Sequence, residues 1–287
     1  MPLKFFDAHT HANLAAFKDD YKEVINRALE KGVGLVNVGT QKDTSLRAVE
    51  IAHEFPDEPI FATIGLYPTH SHESDFHDVQ ELAASGGVPE TFDYDFYRKL
   101  ALDSKVVGIG ECGLDYFRLG GNVEEKKKKQ KEVFMEQIKL VHEVKKPLMI
   151  HCREAFTDLV EMLKTHRSQL DDSFPGIIHS FHGTKDDARK LLDLGFCFTF
   201  GGVITFPPKT GRRPDYEDII KFLPLDRILS ETDAPYVAPV PYRGKRNEPA
   251  YVMEVVKKLA ELKSVSTESM ADQILKNATI AFRIEIS

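Results

Sequence analysis

Residues 4–11 read Lys4-Phe5-Phe6-Asp7-Ala8-His9-Thr10-His11. An aromatic run that ends in polar residues predicts a β-strand over 4–9. Side chains alternate faces along a strand, so His9 and His11 point the same way. Two imidazoles on one face at a strand end are half of a metal site. Working outward, more candidate ligands stand at the C-terminal ends of their own predicted strands: Glu111, His151 and His179, with Asp233 just past the last strand.

Apolar, β-rich runs alternate with amphipathic segments along the whole chain. Strands are predicted over 4–9, 34–38, 60–65, 106–111, 147–151, 176–180, 196–200 and 227–231. Helical periodicity lies between and after them, over 21–31, 44–54, 130–144, 155–165, 185–194, 215–223, 250–262 and 267–274. Eight strands, each followed by a helix, predict a closed parallel (β/α)8 TIM barrel of the α/β class. The chain has 287 residues, 42% of them hydrophobic. A barrel of roughly 250 residues folds as one unit, and no Pro/Ser-rich linker or solenoid repeat interrupts the pattern, so residues 1–287 are expected to form a single hydrolase domain.

The formal charge of −7 excludes a generally basic nucleic-acid coat, so any contact with nucleic acid must be local. Three cysteines without a CxxC pair fit a reducing compartment. No apolar stretch approaches the roughly 20 residues that cross a bilayer, and no signal peptide precedes the first strand. The expected location is the cytoplasm, without membrane contact; nothing fixes an oligomeric state, and a monomer suffices.

In a closed barrel the six side chains His9, His11, Glu111, His151, His179 and Asp233 converge over one mouth. Imidazole and carboxylate together suit Mg²⁺, Mn²⁺ or Zn²⁺. Six ligands exceed the three that one catalytic ion typically takes from protein. They suit two divalent ions when one carboxylate bridges, and Glu111, on the mid-barrel strand, is the natural bridge. Two ions about 3.5–4 Å apart can activate a water and stabilise the leaving oxygen of a phosphodiester. Taken singly, each residue has an ordinary structural reading; the convergence of all six carries the metal reading. Isolated helical histidines such as His53 and His142 are read as surface or packing residues.

The stretches DAHTH (7–11), GIGECGLDY (108–116), PLMIHCRE (147–154), IIHSFHG (177–183), ETDAPY (231–236) and PYRGKRNEP (241–249) make the chain resemble the TatD family of metal-dependent deoxyribonucleases, amidohydrolase-type barrels. ETDAP followed by RGKRNEP is the most specific element, and the resemblance runs from the first strand to past the last. It implies that Glu111 bridges two ions, one held with His9, His11 and Asp233 and the other with His151 and His179. It implies hydrolysis of nucleic-acid phosphodiesters, with DNA against RNA left open, either as a 3′-to-5′ exonuclease on single strands or strand ends or as an endonuclease, with Asp233 as the proton acceptor and Glu111 and Asp233 as the catalytic carboxylates. Two departures stand out. The family's G-x-H-P-H pattern after the third strand is here Gly65-Leu66-Tyr67-Pro68-Thr69-His70, which makes Tyr67 and His70 alternative candidates for a substrate contact. Segment 67–102 is long, with a short helix predicted over 78–84; His72 and His77 within it are read as loop residues.

Basic clusters at 126–131, 209–213 and 243–246 follow strands four, seven and eight. The first reads as the solvated opening turns of a helix. Arg118, Arg153 and Arg243 are candidate phosphate contacts, because a guanidinium binds phosphate oxygens bidentately; for Arg118 and Arg153 the alternative is a structural ion pair. Tyr116, Phe117, Tyr236 and Tyr242 lie nearby and could stack unpaired bases or pack the barrel rim. Two further readings stay open. The same metal site could hydrolyse a small phosphoester or an amide, ester or lactone, and an open positive groove against a closed apolar pocket discriminates these. A non-catalytic metal-binding protein is the third, and it is disfavoured by the intact Asp233.

Overall fold

A computed structural model describes residues 2–73, 88–207 and 215–286. The segments 78–84 and 209–213 and His77, singled out in the sequence, lie outside them. All eight predicted strands form, as β1 (Phe5–Thr10), β2 (Val33–Val38), β3 (Ile60–Ile64), β4 (Val106–Asp115), β5 (Leu148–Arg153), β6 (Gly176–Ile178), β7 (Cys197–Phe200) and β8 (Ile228–Ser230). They pair in parallel and in sequence order from β1 to β8. Helices α1 (Tyr21–Leu29), α2 (Lys42–Glu54), α3 (Tyr94–Leu100), α4 (Val123–Val144), α5 (Phe156–Thr165), α6 (Lys185–Asp193), α7 (Tyr216–Phe222), α8 (Val252–Lys263) and α9 (Thr267–Phe282) follow the strands. This is the nearly closed (β/α)8 barrel that the alternation predicts.

The seam between β8 and β1 is joined largely through side chains. Ser230 Oγ donates to Phe6 O at 2.7 Å. Buried Asp7 accepts from the amide of Thr232 at 2.8 Å and from its hydroxyl at 2.5 Å. Past the strand ends, Asp233 N donates to His9 O and His11 N to Ala234 O. Closure of the barrel therefore brings the first ligand pair to Asp233.

Three expected ligand positions need correction. His179 lies just past the end of β6 rather than within it. Glu111 does not close β4, and His151 does not close β5; both lie inside longer strands. The register between β4 and β5 shifts between Ile109 and Cys112, after which pairing resumes from Cys112↔Ile150 to Asp115↔Arg153. The resumed ladder carries both strands past their predicted ends. Glycine permits this close approach: a Cβ on Gly110 (φ +145°) would lie 2.2 Å from Met149 O, and one on Gly113 (φ +125°) 2.1 Å from His151 O.

Helix ends follow their caps more than their apolar period. Helix α4 begins at Val123 rather than 130, because Asn122 caps it and Glu124 and Glu125 suit its positive end. The lysines at 126–131 thus fall in its opening turns, as expected. Helix α3, absent from the sequence reading, starts on Asp93, whose carboxylate accepts from Phe96 N. Among the described residues no helix is long and apolar enough to cross a membrane.

Candidate metal centre

The barrel mouth gathers all six candidate ligands. Glu111 Oε2 lies 3.4 Å from His9 Nε2 and 3.6 Å from His11 Nε2. Its other oxygen, Oε1, lies 3.2 Å from His151 Nδ1 and 3.7 Å from His179 Nε2. One carboxylate thus faces two imidazole pairs, one with each oxygen. Asp233 Oδ1 joins the first pair, 3.5 Å from His11 Nε2 and 3.9 Å from His9 Nε2. Asp233 holds this place from a left-handed backbone (φ 55°). Its side chain is 21% exposed against 5% for Glu111, so it is the more open of the two candidate carboxylates.

The outer nitrogens are held from behind. His11 Nδ1 meets Val38 O at 2.9 Å. His151 Nε2 meets Asp115 Oδ2 at 3.0 Å, and His179 Nδ1 meets Glu231 Oε2 at 2.8 Å. Glu231 also accepts from Thr199 Oγ1. Each of these partners orients one ring nitrogen, so that the opposite one points inward. The His9 ring stacks on the His179 ring with centroids 3.5 Å apart.

The crowded imidazoles and carboxylates shift one another's protonation. Burial works against charge on His11 and His151, yet Asp233 and Glu111 around the first and Asp115 and Glu111 around the second raise both to about 9. His9 moves the other way, lowered by burial and by neighbouring His179. Burial opposes ionisation of Glu111 as well, but the surrounding imidazoles hold it well below the usual carboxylate range. The donor set fits divalent cations. His9 Nε2 and His11 Nε2 are 3.0 Å apart, and the sets His9–His11–Glu111 and Glu111–His151–His179 each offer ligand atoms within 4.8 Å of one another.

The substrate-side candidates border this centre unevenly. Tyr67 donates its hydroxyl to Asp115 Oδ2 at 3.1 Å and lies 3.1 Å from His151 Nε2, so it belongs to the His151 wall. His70 stands further out, its ring 5.4 Å from that of Tyr67 and its Nδ1 3.2 Å from Thr40 O. Arg118 and Arg153 rest on Phe117, and Arg243 on Phe206. By contrast, Arg246 pairs with Asp20 and is structural. Tyr116 bonds Asp158, and Tyr242 stacks on Tyr251, so both pack the rim.

The sequence reading missed Asp7, Asp115 and Glu231. Strand periodicity was the available signal for Asp7, two residues before His9, and for Asp115, four after Glu111. Glu231 was visible only as an acid ending a buried apolar run.

A family model described as TatD related DNase matches residues 6–283.

The chain belongs to the TatD-related family.

It is 39% identical over 280 residues to an uncharacterized metal-dependent hydrolase, YabD, of Bacillus subtilis, covering 97% of this chain and 99% of that one. It is 30% identical over 284 residues to the 3′-5′ ssDNA/RNA exonuclease TatD of Pantoea vagans, covering 97% and 99%. The crystal structure of the TatD homologue YJJV of Escherichia coli superposes with a TM-score of 0.81 at 26% identity, over 99% of this chain and 100% of that one. The TatD-family protein described above is a metal-dependent hydrolase.

Proposed function

We propose that this TatD-family hydrolase cleaves phosphodiester bonds of single-stranded DNA or strand ends, as a 3′-to-5′ exonuclease, with two divalent ions. The observation that carries the reading is the two-sided Glu111, whose oxygens face His9–His11 and His151–His179 separately. His9, His11 and Asp233 would hold one ion, His151 and His179 the other, with Glu111 shared. Bound there, Mg²⁺, Mn²⁺ or Zn²⁺ supplies a water acidic enough to attack near neutral pH and positive charge for the phosphodiester oxygens.

The remaining work falls to side chains. Asp233, more open to solvent than Glu111, accepts the proton of the attacking water. Asp115 and Glu231 keep His151 and His179 turned inward. Tyr67 or His70 meets the phosphate beside the His151 wall, and Arg118, Arg153 and Arg243 meet the strand outside it. The exonuclease assignment takes its polarity from the Pantoea vagans relative's description. We take the whole chain as one catalytic unit acting as a monomer in the cytoplasm, a setting that its three buried free thiols fit.

The test is single-stranded DNA incubated with metal-stripped protein, with each ion added back. Shortening that requires metal, and is lost in Asp233→Asn and Glu111→Gln, is the expected result. Hydrolysis of a small phosphoester with DNA and RNA left intact would keep the metal site and overturn the nuclease.

A further inference from the structure

The guanidinium carbon of Arg153 lies 3.4 Å from the centre of the Phe117 ring, and that of Arg118 lies 4.8 Å from the same centre. Two cations therefore share one ring, well inside the ~10 Å over which 0.1 M salt screens charge. Neither has an ion-pair partner among the described residues. Arg27, Arg47, Arg98, Arg189, Arg246 and Arg283, in contrast, each meet a carboxylate. The ring attracts both cations but neutralises neither.

The neighbouring acid is already engaged. Asp115 accepts from His151 and Tyr67 with Oδ2 and from Phe117 N with Oδ1. Those bonds fasten Phe117 to the His151 side of the metal centre. Tyr116 N donates to Arg153 O, which ties the two loops together at the same point. Arg118 is held at φ 54°, a left-handed conformation uncommon outside glycine, which sets the direction in which its side chain leaves the loop. The result is a fixed pair of planar donors, neither in an ion pair among the described residues, attached to the candidate metal centre through Asp115, on whose carboxylate the Arg153 charge also acts.

We propose that Arg118 and Arg153 on Phe117 form a second anion site, which binds a non-scissile phosphate of the substrate strand. This deepens the nuclease reading and rests on it. The site would make an ester with a single phosphate a poor substrate relative to a strand, because only the strand reaches both the metal centre and Phe117. The chemistry is phosphate binding without sequence readout.

The experiment has two arms. In the first, a fluorescent ten-nucleotide deoxythymidine strand is titrated by anisotropy into metal-free wild type, R118Q/R153Q and R153K. The double variant is expected to bind at least tenfold more weakly. Its slope of log affinity against log salt should also be shallower, by about 0.7 for a single-strand phosphate no longer contacted. R153K, which keeps the charge, should retain the wild-type slope. In the second arm, kcat/KM of the loaded enzymes is compared on that strand and on bis(4-nitrophenyl) phosphate. The double variant should lose at least ten times more on the strand, chiefly through KM. Unchanged binding and salt slope, or equal losses on both substrates, would overturn the anion site. Wild type that binds the strand in an Arg-dependent way yet cleaves no nucleic acid would keep the site and sink the nuclease reading alone.

Discussion

An imidazole serves as a ligand only when the correct nitrogen carries its lone pair, and at His179 that choice belongs to Glu231. Its Oε2 accepts a hydrogen bond from Nδ1–H at 2.8 Å, in a position closed to water. Replacing Glu231 by Gln leaves the size intact but removes the charge that favours this arrangement. Loss of an outer partner of a metal-ligating histidine typically costs 10–100-fold in metal affinity. Glu231→Gln is therefore expected to weaken Mn²⁺ or Co²⁺ binding by about that factor, measured by competition with a chelator. Wild-type affinity in the variant would show that Glu231 is merely structural. The convergence of the six candidate ligands at one mouth was legible in the sequence because each is a coordinating residue type at, or just past, a predicted strand end. Glu231 and Asp115 were not, because their role is set by which ring each one faces across strands.

At the scale of elements, β1 and β8 depend on Asp7, which gathers the amide and hydroxyl of Thr232 and the amide of His9. Removing that buried acceptor strands several donors, at roughly 1–3 kcal/mol for an unsatisfied group. Asp7→Ala is expected to lower unfolding free energy by about 3 kcal/mol, and Ser230→Ala, at the same seam, by about 1 kcal/mol. Urea denaturation of both variants checks the order; equal effects would mean that Asp7 is not the main closure. A second junction is sensitive to pH. Helix α9 ends where Arg283 reaches Lys145 O and Asp171. Burial raises the Asp171 carboxyl, but the amides of Phe174 and Ser173 and the Arg283 charge outweigh it, so its pKa falls below the usual 3.8. A folded pKa below the unfolded one gives stability present above about pH 4 and lost as pH falls through the folded value. Asp171→Asn should therefore be less stable than wild type at pH 6, with the gap narrowing by pH 3; a constant gap in urea midpoints would rule this out. The eight strands and every helix but α3 were readable from alternating periodicity; α3 is set by its Asp93 cap. The full lengths of β4 and β5 were not, because their ends are set by a register shift and two glycine contacts between neighbours.

Across the whole molecule, the candidate metal ligands come from β1, β4, β5 and the segments just after β1, β6 and β8, so the candidate centre ties together both sides of the barrel seam. The barrel as a class followed from eight periodic runs, but the fact that its seam and its ligands share the same residues became visible only in three dimensions. At this mouth the Glu111 and Asp233 carboxylates lie within 4 Å of the imidazoles they face. A cation that binds the folded state and not the unfolded chain stabilises by RT ln(1 + [L]/Kd), about 4 kcal/mol at a thousandfold excess over Kd. At roughly 2–4 °C per kcal/mol for a large domain, chelation should lower Tm by about 8 °C or more. Adding back Mn²⁺ or Zn²⁺ should restore it. Glu111→Gln should largely erase the difference between stripped and loaded protein, because it removes the charge shared by both imidazole pairs, whereas Arg243→Gln, at a residue that rests on Phe206 and is no candidate ligand, should preserve it. Scanning calorimetry of the three proteins with and without metal decides the point. A chelation-insensitive wild-type Tm would mean that the mouth binds no cation tightly enough to couple its strands, and the proposed chemistry would then lack its central requirement.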